Sequence, residues 1–261
     1  MTSYALRDST TMIRRNLRHV VRYPVMTVSV IAMPVIFLLL FVYVFGATMG
    51  AGISGVAGGR AEYANYITPG ILLMGVAGSA QGTAISVAMD MKEGIIARFR
   101  TMAIFRPAVL NGHVASSLTQ TMLGLAVVVG IALLAGFRPT ATIVEWLAAG
   151  GLLLMITLAL TWLSVAFGLV TRSVETASNL PLPLILLPFL GSGFVPTASM
   201  PGPIRWFAEH QPFTPIMETL RGLLLGTAIG SDAIASIAWC TGITIAGYLW
   251  STHLYSRDPI R

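Results

Sequence analysis

An apolar run of about twenty residues is enough to cross the hydrocarbon core of a bilayer, and this chain of 261 residues contains six such runs. They lie at about 24–46, 67–89, 114–136, 143–170, 178–198 and 232–254. Runs of this kind leave little choice of fold. In lipid every backbone polar group needs a partner within the protein, and only helices and closed barrels supply one. The ten-residue alternation of a barrel strand is not seen. The pattern predicts an all-α integral membrane protein with six transmembrane helices, built as a single domain over 1–261. Composition agrees, because only 10% of residues are charged against about a quarter in soluble domains.

The positive charges orient the spans. Twelve of the sixteen Lys and Arg lie in 1–23, 90–113, 171–177 and 255–261, leaving four in 47–66, 137–142 and 199–231. Basic residues accumulate on the cytoplasmic side, so both termini are expected in the cytoplasm of a multi-pass protein of the cell (inner) membrane. This asymmetry accounts for the net charge of +6 and makes nucleic acid an unexpected partner. The single Cys240 excludes an intrachain disulfide. The twin arginine of "TMIRRNLRHV" resembles a signal motif, yet five further spans follow, so the first run reads as a retained helix.

Local patterns refine the layout. Within 1–23, Ile13, Leu17, Val20 and Val21 take one helical face and Arg14, Arg15, Arg18 and Arg22 another. That spacing predicts an amphipathic helix on the lipid surface. Pro34 predicts a kink in the first span. The fifth, "NLPLPLILLPFLGSGFVP", holds Pro181, Pro183, Pro188 and Pro196. It reads either as a kinked helix or as a broken one lining a path, since unwound backbone is tolerated at a cavity or against protein. Residues 199–231 place Ile216, Leu220, Leu223 and Leu224 at helical spacing before Gly226. A helix over about 214–225 is too short to cross, so an outer re-entrant or interfacial element is expected.

Enzyme chemistry is poorly supported. His19, His113, His210 and His253 are dispersed and form no metal-binding spacing. Asp90, Glu145, Glu175 and Asp232 fall at or near span ends, whereas ion-coupled transport places ionisable groups inside the membrane. A phosphate-binding loop needs Gly-Lys followed by Ser or Thr; the only lysine, Lys92, follows Met91. No cofactor is expected on this chain, and any ATP and Mg²⁺ belong to another subunit.

"DMKEGIIARFR", residues 90–100, carries five charges in eleven residues. A solvated loop obeying the charge rule is one reading. The interleaved Ile95, Ile96, Phe99 and Met102 favour a docking surface, because a free loop has no need of four large apolar side chains.

Three stretches now converge. "YITPGILLMGV", "KEGIIARFRTMAIFRPAVLNG" and "FVPTASMPGPIRWFAEHQPFTPIMETLRGLLLG" resemble the permease subunits of type-2 ABC exporters of the daunorubicin/doxorubicin-resistance type. In the second stretch Glu93, Gly94 and Arg98 match the family's acid, glycine and arginine. The third includes Pro196, Pro201, Pro212, Arg221 and Gly226. The resemblance departs at Ala103 and His113, where family members often carry proline and a basic residue.

The resemblance implies a pair of ATPase subunits, a second permease copy (identical or not) and export of a lipophilic or amphiphilic small molecule. It assigns coupling to Glu93, Gly94, Ile95, Ile96, Arg98, Phe99 and Arg100. It makes spans one, two and five the path, with Phe37, Phe41, Pro188, Phe189 and Phe194 as candidates, and marks Pro212, Glu218, Arg221 and Gly226 in the outer segment. Permeases for polysaccharide or lipo-oligosaccharide, and ion-coupled carriers, are the competing classes. The topology has a direct test. A cysteine placed at Glu209 is expected to react with an impermeant thiol reagent added outside, and labelling from the cytoplasmic side alone would overturn the orientation.

Overall fold

Long apolar sequence without interior backbone partners folds as helix, and the computed structural model, which describes residues 24–48, 50, 59–94, 107–171 and 173–256, is mostly helical. The amphipathic helix read within 1–23 and the coupling residues Ile95, Ile96, Arg98, Phe99 and Arg100 lie outside those residues. The elements are α1 (Pro24–Leu40) continuing into a π-helical turn (Phe41–Phe45), α2 (Arg60–Lys92), α3 (Pro107–Leu134) and α4 (Ile143–Val170). There follow α5 (Val174–Asn179), α6 (Leu182–Leu186), a 3₁₀ turn (Thr197–Ser199), α7 (Gly202–His210), α8 (Phe213–Leu225) and α9 (Asp232–Ser256).

Five helical stretches are long and apolar enough to cross a bilayer: Ile31–Thr48, α2, Leu110–Leu134 within α3, α4 and α9. The fifth apolar run is not among them. Its chain forms only the short α5 and α6 and then passes through turns from Leu187 to Phe194. The prolines explain this, since each removes a backbone donor and disfavours helix in the residue before it. Of the two sequence readings, the break replaces the kink. α2 also begins at Arg60 rather than near 67. Its 33 residues extend about 50 Å at 1.5 Å per residue, beyond an apolar core of about 30 Å. The polar residues at its ends had hidden the extra turns.

Caps fix where helices start and stop. Thr142 accepts from the Glu145 amide while the Glu145 carboxylate accepts from the Thr142 N–H at 2.6 Å, a reciprocal cap on α4. This gives Glu145 a structural role at a helix start. α8 ends at Gly226, whose φ of +73° suits glycine.

α4 forms the centre, packed along α9 and α2 with α3 and α8 also against it. Leu152, Leu153, Ile156 and Leu160 are its buried face. Lipid offers apolar helices no reason to associate, so close approach of small residues and interhelical hydrogen bonds matter more. Both occur. Any side chain on Gly168 would lie 2.7 Å from the Ala84 carbonyl, and one on Gly247 would lie 2.8 Å from the Leu163 nitrogen. Between α2 and α3, Thr83 bonds Ser117 at 2.7 Å and Ser79 bonds Thr121, all four residues buried. Facing outward, α9 exposes Ile234, Ile237, Trp239, Ile245 and Leu249, a surface suited to acyl chains.

Gly-to-Ala exchange inside a helix ordinarily stabilises it by up to about 1 kcal/mol. Gly247→Ala should do the reverse, because backbone atoms of the neighbouring helix must shift; overpacking costs about 1–3 kcal/mol. Gly150→Ala, where the added carbon meets nothing within 4 Å, is the control. Thermal midpoints in detergent are expected to fall for Gly247→Ala and hold or rise for Gly150→Ala.

Candidate functional site

The break after α6 brings aromatic residues together. Phe189 and Phe194 stack face to face, with ring centroids 4.5 Å apart and planes 5° from parallel. Phe194 meets Phe41 at 5.1 Å, Phe41 meets Phe37 at 6.1 Å, and Phe37 closes the circuit edge-on to Phe189 at 5.9 Å. Phe37 and Phe41 share a face because they are four residues apart on a helix. The π turn begins at Phe41 and adds Phe45, 5.7 Å from Phe41. Such turns within helices often occur at functional sites. Phe194 is buried, while Phe37, Phe41 and Phe189 are half-buried.

Polar side chains from the segment before α9 reach the same break. The Gln211 Nε2 donates to the Leu187 carbonyl at 3.0 Å. Arg221 donates through Nη2 to the Ser192 carbonyl at 2.8 Å and to the Tyr66 carbonyl at 3.3 Å. Its Nη1 pairs with Glu218 at 2.5 Å, and its guanidinium sits 4.1 Å from the centre of the Tyr66 ring. One arginine therefore joins α2, the break and α8. α2 approaches the break without a side chain between them: a carbon added to Gly70 would lie 2.8 Å from the Gly193 carbonyl oxygen. α8 is enclosed, with Ile216, Met217 and Leu220 fully buried.

At the other end of α2, Glu93 caps the helix and Gly94 turns the chain with φ of +69°. His113 in α3 bonds Asp90 in α2 at 3.1 Å, both largely buried. The two helices that flank the charged segment in sequence are thus joined at these ends. Among the described residues no cluster of His, Cys, Asp and Glu can hold a metal ion.

Residues 8–225 match the ABC-2 type transporter family. The chain belongs to that family. The match runs through the aromatic cluster, the break and α8. Among relatives, this ABC-2 chain is 29% identical to the daunorubicin resistance ABC transporter permease protein of Streptomyces coeruleorubidus, over 79% of its own length and 71% of the relative's. It is 24% identical to the probable doxorubicin resistance ABC transporter permease protein of Mycobacterium tuberculosis, over 69% of its length and 65% of the relative's.

The structure places Phe37, Phe41, Phe189 and Phe194 in one cluster, with Pro188 buried in the turn between α6 and the stacked pair. Arg221 and Glu218 form an ion pair facing the break, while Pro212 and Gly226 bound α8. The sequence reading passed over Gln211, Tyr66, Ser192 and Phe45. Gln211 had a signal, as a polar residue directly before "PFTP"; Ser192, which contributes only its carbonyl, had none.

Proposed function

We propose that this chain is the membrane-spanning permease of an ATP-driven exporter that moves a lipophilic or amphiphilic molecule out of the cytoplasm. A separate pair of P-loop ATPase subunits supplies ATP hydrolysis, and a second permease copy completes the complex. Both termini lie in the cytoplasm, six segments traverse the membrane with the fifth broken, and residues 199–231 form the outer re-entrant element. The observation that carries this reading is the four-ring cluster at the break. A cluster of four aromatic rings favours an apolar cargo, and each ring pair contributes about 0.5–1.5 kcal/mol beyond its buried area. The names of the two relatives, a daunorubicin resistance permease and a probable doxorubicin resistance permease, point the same way.

The test is purification with the ATPase pair in lipid nanodiscs and measurement of substrate-stimulated hydrolysis with lipophilic drugs, lipids and oligosaccharides. Stimulation by a lipophilic compound is expected, and Phe189→Ala should raise its half-stimulating concentration about 5- to 10-fold, the equivalent of about 1–1.4 kcal/mol. Stimulation by oligosaccharides alone would overturn the substrate class.

Coupling is assigned to the segment beginning at Glu93. Ile95, Ile96 and Phe99 provide apolar contact with the ATPase, while Glu93 and Arg98 set register through paired charges. Truncating a buried anchor costs about 2 kcal/mol or more, so Phe99→Ala should weaken ATPase co-purification on the order of 30-fold. Glu93→Arg should retain assembly yet separate hydrolysis from transport. Arg257→Ala serves as the control, and equal behaviour of all three variants would reduce the segment to a solvated loop.

A further inference from the structure

The stacked pair Phe189 and Phe194 is five residues apart, which on a regular α-helix places side chains about 140° apart around the axis. Face-to-face stacking at 4.5 Å is impossible on such a helix. The pair exists because the chain leaves the helix at Leu187, and something must hold it there. Local bonding ends with the Leu190 amide, which donates to the Leu186 and Leu187 carbonyls. Beyond that point the grip comes from elsewhere in the sequence. Gln211 donates to the Leu187 carbonyl at the start of the unwound stretch and Arg221 to the Ser192 carbonyl near its end. Both side chains are more than nine-tenths buried, and both come from the segment before α9.

We propose that Gln211 and Arg221 are positioning residues for the translocation path: together they hold the non-helical turn over 187–194 so that Phe189 stacks on Phe194 and Phe194 meets Phe41. This rests on the reading of the aromatic cluster as part of the path, and it adds a role for the segment before α9, that of a clamp on the broken span. Glycines give the clamp its fit. A side chain at Gly191 would collide with the Gln211 amide, and one at Gly193 would lie 2.9 Å from the Met217 sulfur. The broken strand is therefore pressed between α2 on one side and α8 on the other, with two donors fixing its register.

The clamp is tested by joining cysteines at Phe41 and Phe194, whose native rings are in contact with centroids 5.1 Å apart, with a short bifunctional methanethiosulfonate cross-linker in the Cys240→Ser full-length permease with its ATPase pair. The parent is expected to cross-link efficiently. Gln211→Leu, which keeps the volume and deletes the donor, should reduce the cross-linked fraction several-fold, and Arg221→Met should do so more strongly. Arg205→Ala, which breaks an exposed ion pair on α7, should leave it unchanged. Should Arg221→Met fail to assemble, Gln211→Leu decides the matter. Equal cross-linking of Gln211→Leu and parent would overturn the proposal whatever transport does.

A second measurement, without the added cysteines, compares half-stimulating substrate concentrations. Gln211→Leu should raise the value as Phe189→Ala does, and the two together should do little more than either. Full additivity would also overturn it, because it would separate Gln211 from the rings. Loss of cross-linking in Gln211→Leu with substrate response insensitive to both single variants would support the clamp while removing the cluster from the path.

Discussion

A peptide carbonyl or amide left without a partner in hydrocarbon costs several kcal/mol, and the arrangement around Arg221 follows from that cost. The five long helices satisfy their own backbones. The segment after α6 does not, because its prolines end the helix while the apolar sequence continues. Arg221 closes the gap near Ser192 and Gln211 assists at Leu187. A buried guanidinium is itself costly unless compensated. Here Glu218 supplies the opposite charge and the Tyr66 ring faces the cation, a contact worth about 2 kcal/mol when desolvated. The arginine is affordable only because three elements converge on it, and those elements converge partly because of it.

Packing then follows from small residues. Gly70 lets α2 lie against the unwound backbone, as Gly168 and Gly247 let α2 and α9 lie against α4. With lipid outside there is no hydrophobic gain from helix association, so close approach and buried hydroxyl pairs such as Thr83 with Ser117 supply specificity. The aromatic cluster sits where such fitting gives way to larger, softer contacts between half-buried rings. On the proposed reading, a region of that kind exchanges ring–ring contact for ring–cargo contact.

Much of this was readable from the residues alone. Apolar run length gave the helices, and Pro181, Pro183 and Pro188 gave the trouble in the fifth run. Gly226 gave the end of α8. The boundary of α2 was not legible, because Arg60 and Glu62 shorten an apolar window even though a helix can extend into headgroups and water. The Thr142–Glu145 cap has the Thr-x-x-Glu spacing of a capping box, yet the acid read only as one more charge near a span end. The ring cluster was reached through family resemblance; spacing alone cannot bring Phe41 to Phe194, which are separated by most of the chain. Ser192 was beyond reach, since a carbonyl acceptor leaves no trace in residue type.

One element connects the two halves of the proposed mechanism. α2 ends at Lys92 beside Glu93, where the proposed ATPase-facing segment begins, and its earlier turns hold Tyr66 and Gly70 against the break. His113 and Asp90 tie α3 to the same end. The helix also packs against α4, which supports the turns between Gly70 and Lys92. On the proposed reading, a displacement delivered at Glu93 reaches Gly70 as movement of a rigid rod, without any signal passing from side chain to side chain. The carbonyl of Gly193, in contact with that rod, would move with it, while Arg221 and Gln211 resist from α8 and the residues before it. Opening of the aromatic cluster is then a contest between a rod and a clamp on opposite sides of one unwound strand, and a continuous fifth helix would give neither of them a backbone to grip.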